Sequence, residues 1–89
     1  MKRNSDFILR KVAGEYVLVS TGKSLAKFSG VITINEQTAS LWKLLEKDST
    51  LEELIKGITD EYEVSEEEAR TDIIKMLTQF KLLGMLEEA

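Results

Sequence analysis

The sequence has 89 residues, of which 43% are hydrophobic and 31% are charged, and its formal net charge is −4. This composition is typical of one small globular domain. The sequence contains no cysteine, which excludes a disulfide framework and a thiolate metal site. No apolar run approaches the ~18 residues of a membrane helix. The absence of histidine removes the commonest catalytic base and metal ligand, so we expect no enzyme, cofactor or metal. We expect a single domain over residues 1–89, located in the cytoplasm.

The first half of the chain predicts three β-strands. Residues 7–12 and 15–19 are rich in β-branched and aromatic residues, and Ala13-Gly14 between them is a turn signal, so they form a predicted hairpin. Both faces of the first strand carry apolar side chains, and its alternation therefore does not identify the core face. Residues 31–34 are β-branched throughout and predict a third strand.

The segment between the second and third strands is predicted to be a polar loop. Its Thr21-Gly22-Lys23-Ser24 stretch is similar to the end of a phosphate-binding loop, but Val17 stands where that motif requires its first glycine. A solvated loop is therefore the preferred interpretation, with Leu25 and Phe28 turned inward.

The second half predicts three helices. Asn35 is a favoured N-cap for the first helix, whose apolar stripe includes Trp42. A capping-box pattern starts at Thr50 and is repeated at Ser65, which places the starts of the second and third helices. Gly57 inside the second helix suggests a close helix crossing. The predicted order is β-β-β-α-α-α, an α+β fold.

Two helices joined by a short break could also form a DNA-reading helix-turn-helix. The third helix would then enter the major groove by its N-terminal end. That end carries Glu66, Glu67 and Glu68, which would meet phosphates with like charge, and only Arg70 nearby is basic. This charge argues against DNA binding, so we expect no nucleic-acid partner, and we expect no membrane partner either. A winged-helix DNA-binding regulator is kept as the alternative function.

The third strand suggests a different function. An edge strand offers unpaired backbone N–H and C=O groups, on which proteins recruit extended peptides. Val31–Ile34 lacks the proline or charged residues that usually protect an edge. Because an open edge can also pair with itself, a homodimer remains a second alternative.

The third helix adds an apolar position outside its core stripe. Ile74 lies about 140° from Ala69 around the helix axis, and Arg70 and Lys81 lie on the same side. An apolar residue between two cations would suit a peptide with apolar and acidic side chains.

The order and spacing of several short motifs resemble the coenzyme PQQ synthesis protein D family. Members have a strand that ends in a Leu-Asn turn into the first helix, a Thr-x-x-Glu helix start, a Tyr-x-Val linker and a Gly-x-Leu ending. The matching residues here are Ile32-Thr33-Ile34-Asn35-Glu36-Gln37-Thr38-Ala39, Leu41-Trp42-Lys43-Leu44-Leu45, Thr50-Leu51-Glu52-Glu53-Leu54-Ile55, Tyr62-Glu63-Val64, Asp72, Leu77, Phe80 and Leu83-Gly84-Met85-Leu86. Ile34 replaces the usual leucine, and Lys47-Asp48-Ser49 replaces a common Asp-Gly turn.

The resemblance implies a winged-helix-like domain with a three-stranded antiparallel sheet followed by three helices. It also implies a non-catalytic chaperone that binds the leader of a ribosomally made precursor peptide and delivers it to a modifying enzyme, often a radical SAM protein. It leaves open whether the pathway makes PQQ. The peptide-binding groove is expected between the third strand and the third helix, at Val31, Ile32, Thr33, Ile34, Arg70, Ile73, Ile74, Leu77 and Lys81.

Overall fold

The computed structural model describes residues 1–21 and 30–87. These residues form five strands and three helices: β1 Lys2–Arg3, β2 Phe7–Val12, β3 Glu15–Ser20, β4 Val31–Ile34, α1 Glu36–Leu44, α2 Leu51–Glu61, α3 Glu66–Leu82 and β5 Leu86–Glu87. The predicted α+β order of three strands followed by three helices is confirmed. Most of the segment similar to a phosphate-binding loop, together with Leu25 and Phe28, lies outside the described residues.

The main sheet is antiparallel, with the strand order β2-β3-β4. The predicted hairpin joins β2 to β3 through Ala13 and Gly14, whose φ angles of 51° and 83° are both positive, as a type I′ turn requires. Phe7 is buried and Leu9 packs against the core, whereas Ile8 is exposed. The structure thus selects the core face that the alternation of β2 left undecided.

A second, two-stranded sheet was not predicted. It pairs β1 with β5, so that Lys2 lies opposite Glu87 and Arg3 opposite Leu86. The backbone of Asn4 extends this contact by donating to the Met85 carbonyl at 2.8 Å. The segment after α3 therefore folds back onto the domain and pairs with the N-terminal residues.

Each helix begins at the predicted capping residue. The Asn35 and Ser65 side chains accept hydrogen bonds from backbone N–H groups in the first turns of α1 and α3. At α2 the capping box is complete, because Thr50 accepts from the Glu53 backbone at 3.2 Å and donates its own N–H to the Glu53 carboxylate at 2.9 Å. This second bond lowers the pKa of Glu53. No helix among the described residues is long and apolar enough to cross a bilayer.

The core joins the sheet to the helices through aromatic contacts. Trp42 of α1 is fully buried between Phe7 of β2 and Phe80 of α3. Both rings meet the indole edge-on, with centroid distances of 6.4 and 5.3 Å, a favoured arrangement for aromatic pairs. The tryptophan therefore fixes α1 and α3 against the inner face of the sheet.

Gly57 lies where α1 and α2 approach each other. A Cβ atom at this position would come within 2.7 Å of the Leu44 side chain. The missing side chain thus permits the close helix crossing that the sequence suggested, at the usual cost of glycine in a helix, about 1 kcal/mol relative to alanine.

Candidate functional site

β4 is an edge strand among the described residues, because it pairs with β3 on one side and with no described strand on the other. The Ser20 N–H donates to the Gly30 carbonyl, which shows that Gly30 turns its backbone groups toward β3. Backbone groups alternate in direction along a strand. Ile32 and Ile34 therefore bond to β3, and Val31 and Thr33 direct their N–H and C=O groups toward the open edge.

The side chains of β4 alternate in the same way between the two faces of the sheet. Ile32 and Ile34 are half-buried and pack against the core. Val31 and Thr33 are exposed on the outer face, where 60% of Val31 is accessible. β4 thus combines open backbone groups with apolar side chains, and no described residue protects it with a proline or a charge.

The predicted residues of α3 have several different environments. Ile73 is fully buried and Leu77 nearly so, which makes Ile73 a core residue with no surface to offer. Ile74 is 45% exposed, as its helical position outside the core stripe predicted. Arg70 bonds to Glu52 of α2 at 2.9 Å and to Glu66 at 3.5 Å. The hydrogen bond to Glu52 is the main cause that raises the pKa of Arg70, and the negative charge of Glu52 is the second.

Three of the predicted α3 residues line a groove that contains no residue of β4. This groove, called here the α3 groove, has a volume of about 580 Å³. It lies between α3, the start of α2 and the small β1-β5 sheet. Its lining residues are Met1, Lys2, Asp48, Leu51, Ile74, Leu77, Thr78, Lys81, Leu86 and Glu87. Sequence reasoning missed the β1 and β5 residues, because strands of two residues leave no recognisable pattern.

A different side of α3 contacts the first turn of α1, which follows β4 directly. The Thr38 hydroxyl, in the first turn of α1 directly after β4, contacts the Met76 sulfur at 3.5 Å. Met76 and Ile74 are two positions apart and therefore point in nearly opposite directions, about 160° apart around the helix axis. The Ile74 side of α3 thus lies away from Thr38, and Met76 is the α3 residue that contacts the first turn of α1, next to β4. The sequence indicated Met76 only as part of the apolar stripe.

The rim of the α3 groove carries both signs of charge. The N-terminal amine of Met1 lies 2.6 Å from the Asp48 carboxylate, and this hydrogen bond lowers the pKa of Asp48. Lys2 stands opposite Glu87 across the two short strands. Among the described residues, no group of three or more acidic, histidine or cysteine side chains is arranged to hold a metal ion.

Comparisons with known proteins agree with this architecture. The chain is similar to the structure of TbiB1 in complex with the TbiA(beta) leader peptide, with a TM-score of 0.77, 21% identity, and coverage of 100% of this chain and 98% of that one. It is also similar to lasso peptide synthetase B1 complexed with the leader peptide, with a TM-score of 0.74, 20% identity, and coverage of 98% and 96%. A search of the curated proteins finds no match.

The family profile described as coenzyme PQQ synthesis protein D matches residues 15–86, which include β3, β4, all three helices and the first residue of β5. A match over most of the chain agrees with the resemblance seen in the individual motifs. The chain belongs to the coenzyme PQQ synthesis protein D family.

Proposed function

We propose that this chain is a non-catalytic recognition domain that binds the leader of a ribosomally synthesised precursor peptide and presents it to a modifying enzyme. The observation that carries the proposal is the open edge of β4, where Val31 and Thr33 direct their backbone groups away from β3. Family membership supports it, and so do the two similar structures, which hold leader peptides.

In this proposal the leader lies beside β4 as an added strand. Val31 and Thr33 together offer two donors and two acceptors, which permits four backbone hydrogen bonds. Each such bond contributes roughly 0.5–1.5 kcal/mol net, so pairing alone supplies roughly 2–6 kcal/mol before ordering of the leader is subtracted. Contacts of the leader's side chains must provide the rest of the binding free energy and the selectivity for one leader over another.

The leader's inward side chains would provide those contacts. They would lie over the half-buried Ile32 and Ile34 and reach toward Met76 on the facing side of α3. Its outward side chains would lie beside the exposed Val31. Burial of an aliphatic side chain contributes about 1.5–3 kcal/mol, so two inward residues would add roughly 3–6 kcal/mol to the backbone pairing, and micromolar binding requires about 8 kcal/mol after the ordering cost is subtracted. Ile73 supports this surface from within the core.

The enzyme that receives the peptide is proposed to be of the radical SAM type, and the whole process to occur in the cytoplasm, where ribosomes release the precursor. The DNA-binding alternative gains no support. Glu66, Glu67 and Glu68 are all exposed at the N-terminal end of α3, the end that would enter the major groove. The two similar structures contain leader peptides.

The test is a titration of isotope-labelled protein with the leader of the precursor encoded beside its gene, followed by amide chemical shifts. We expect the largest changes at residues 31–34 and around Met76, with small changes at Ile74 and Lys81. The proposal is refuted if the leader produces no shifts, or if the shifts avoid β4.

A further inference from the structure

The α3 groove is a second surface that leader binding at β4 does not use. Its floor is apolar and is formed by side chains of α2, α3 and β5, namely Leu51, Ile74, Leu77 and Leu86. Its volume of about 580 Å³ lies within the roughly 300–1,000 Å³ typical of ligand pockets. It is open at the surface, since 45% of Ile74 is accessible.

The charged groups on its rim sum to one excess positive charge. Asp48 is bonded to the N-terminal amine and is also attracted by Lys2. Glu87 stands opposite Lys2 in the register of β1 and β5. Lys81 is exposed in the last turn of α3 and forms no ion pair with a described residue. In a chain of net charge −4, the groove therefore offers an apolar floor beside a free positive charge.

We propose that the α3 groove docks a protein segment that carries apolar side chains and a carboxylate, with the apolar side chains on Ile74 and Leu77 and the carboxylate at Lys81. Identifying the owner of this segment as the peptide-modifying enzyme rests on the proposed function. The groove and β4 lie on different sides of α3 and share no lining residue. Leader and enzyme segment can thus be bound together, as presentation of the peptide requires.

The probe is a synthetic amphipathic helical peptide with leucines on one face and glutamates beside them, compared with the same peptide carrying lysine in place of each glutamate. We expect the acidic peptide to shift the amides around Ile74, Lys81 and Leu86 and to bind more tightly than the basic one. K81E removes the proposed ion pair between Lys81 and a glutamate of the peptide and replaces it with repulsion. This variant should bind the acidic peptide about two- to thirtyfold more weakly.

Two variants complete the test. Lys75 is also exposed on α3 but lies about 120° around the axis from Lys81, so K75E should leave the affinity unchanged within about twofold. I74S should weaken both peptides without unfolding the protein. The inference is overturned if the acidic peptide does not bind, if the basic peptide binds equally well, or if K75E acts like K81E.

The leader proposal is tested separately by T33P at β4. If T33P also abolishes binding of the acidic peptide, that peptide occupies β4 and the groove is not a second site. If the leader fails to bind while the acidic peptide behaves as expected, the groove proposal stands and the leader proposal falls.

Discussion

Replacing Thr33 by proline tests the open edge of β4 directly. Thr33 directs its N–H away from β3, so the substitution removes a donor that no other described residue uses. Proline is tolerated on edge strands when its missing N–H faces solvent. It also restricts the preceding residue to extended backbone, which Ile32 already has. We therefore expect T33P to fold, with a loss of stability of about 1 kcal/mol or less.

The effect on leader binding should be larger. One of the four backbone bonds is lost, and a leader carbonyl is left facing the proline without a donor. An unsatisfied group of this kind costs about 1–3 kcal/mol, which corresponds to a roughly 5- to 150-fold weaker Kd. Calorimetry or fluorescence anisotropy with a labelled leader measures this change, and circular dichroism with urea unfolding measures the stability of the variant.

Two matched variants make the result specific. T33A keeps the N–H and changes only an exposed side chain, so it should bind the leader with a Kd within about twofold of the parent. I32P removes a donor to β3 and a half-buried side chain, and should unfold the domain. A folded T33P that binds the leader like the parent would refute pairing at this edge. An unfolded T33P beside a folded I32P would refute the assigned alternation of β4.

Three further substitutions test the forces that hold the domain together. T50A removes the acceptor of the α2 capping box and should cost about 0.5–2 kcal/mol of unfolding free energy in urea. A13N converts a strained positive-φ alanine into the Asn-Gly pair that type I′ turns favour, and should raise the free energy of unfolding by roughly 0.5–1 kcal/mol. Asp48 has a lowered pKa in the folded state, so its stabilising contact with the Met1 amine is present above its ordinary value of 3.8 and is lost as pH falls through the lower folded value. Acid titrations of unfolding should thus show a shallower loss of stability below pH 3.8 in D48N than in the parent, and identical slopes would contradict this contact.

The residues that begin each element were visible in the sequence because their signals act over a few positions. Asn35, Thr50 and Ser65 cap the helices through bonds to N–H groups three residues ahead. The Ala13-Gly14 turn joins neighbouring strands in the same local way. Such bonds depend only on nearby residues, and the order of the three main strands and three helices could therefore be predicted.

The site could be predicted only in part. The edge position of β4 was suggested by its lack of charge and proline, and within residues 1–21 and 30–87 the structure confirms it. Helical periodicity correctly placed Ile74 outside the core stripe. Periodicity does not say which neighbour a side of the helix faces, however. The predicted groove therefore combined β4 with Ile74 and Lys81, which the structure places in a groove without β4 residues, and the contact of the leader with either surface stays a prediction.

By itself the sequence determined a small α+β domain, its element order, its helix starts and a strand suited to pairing with an added chain. Only the tertiary structure decided that β1 pairs with β5, which face of β2 is buried, and which α3 residues line a groove that contains no residue of β4. The physical reason is the distance along the sequence between the residues that interact. Caps, turns and periodicity arise from contacts within a few residues, whereas these contacts join segments that are far apart in the sequence, as in the β1-β5 pair and in the packing of Phe7 and Phe80 on Trp42.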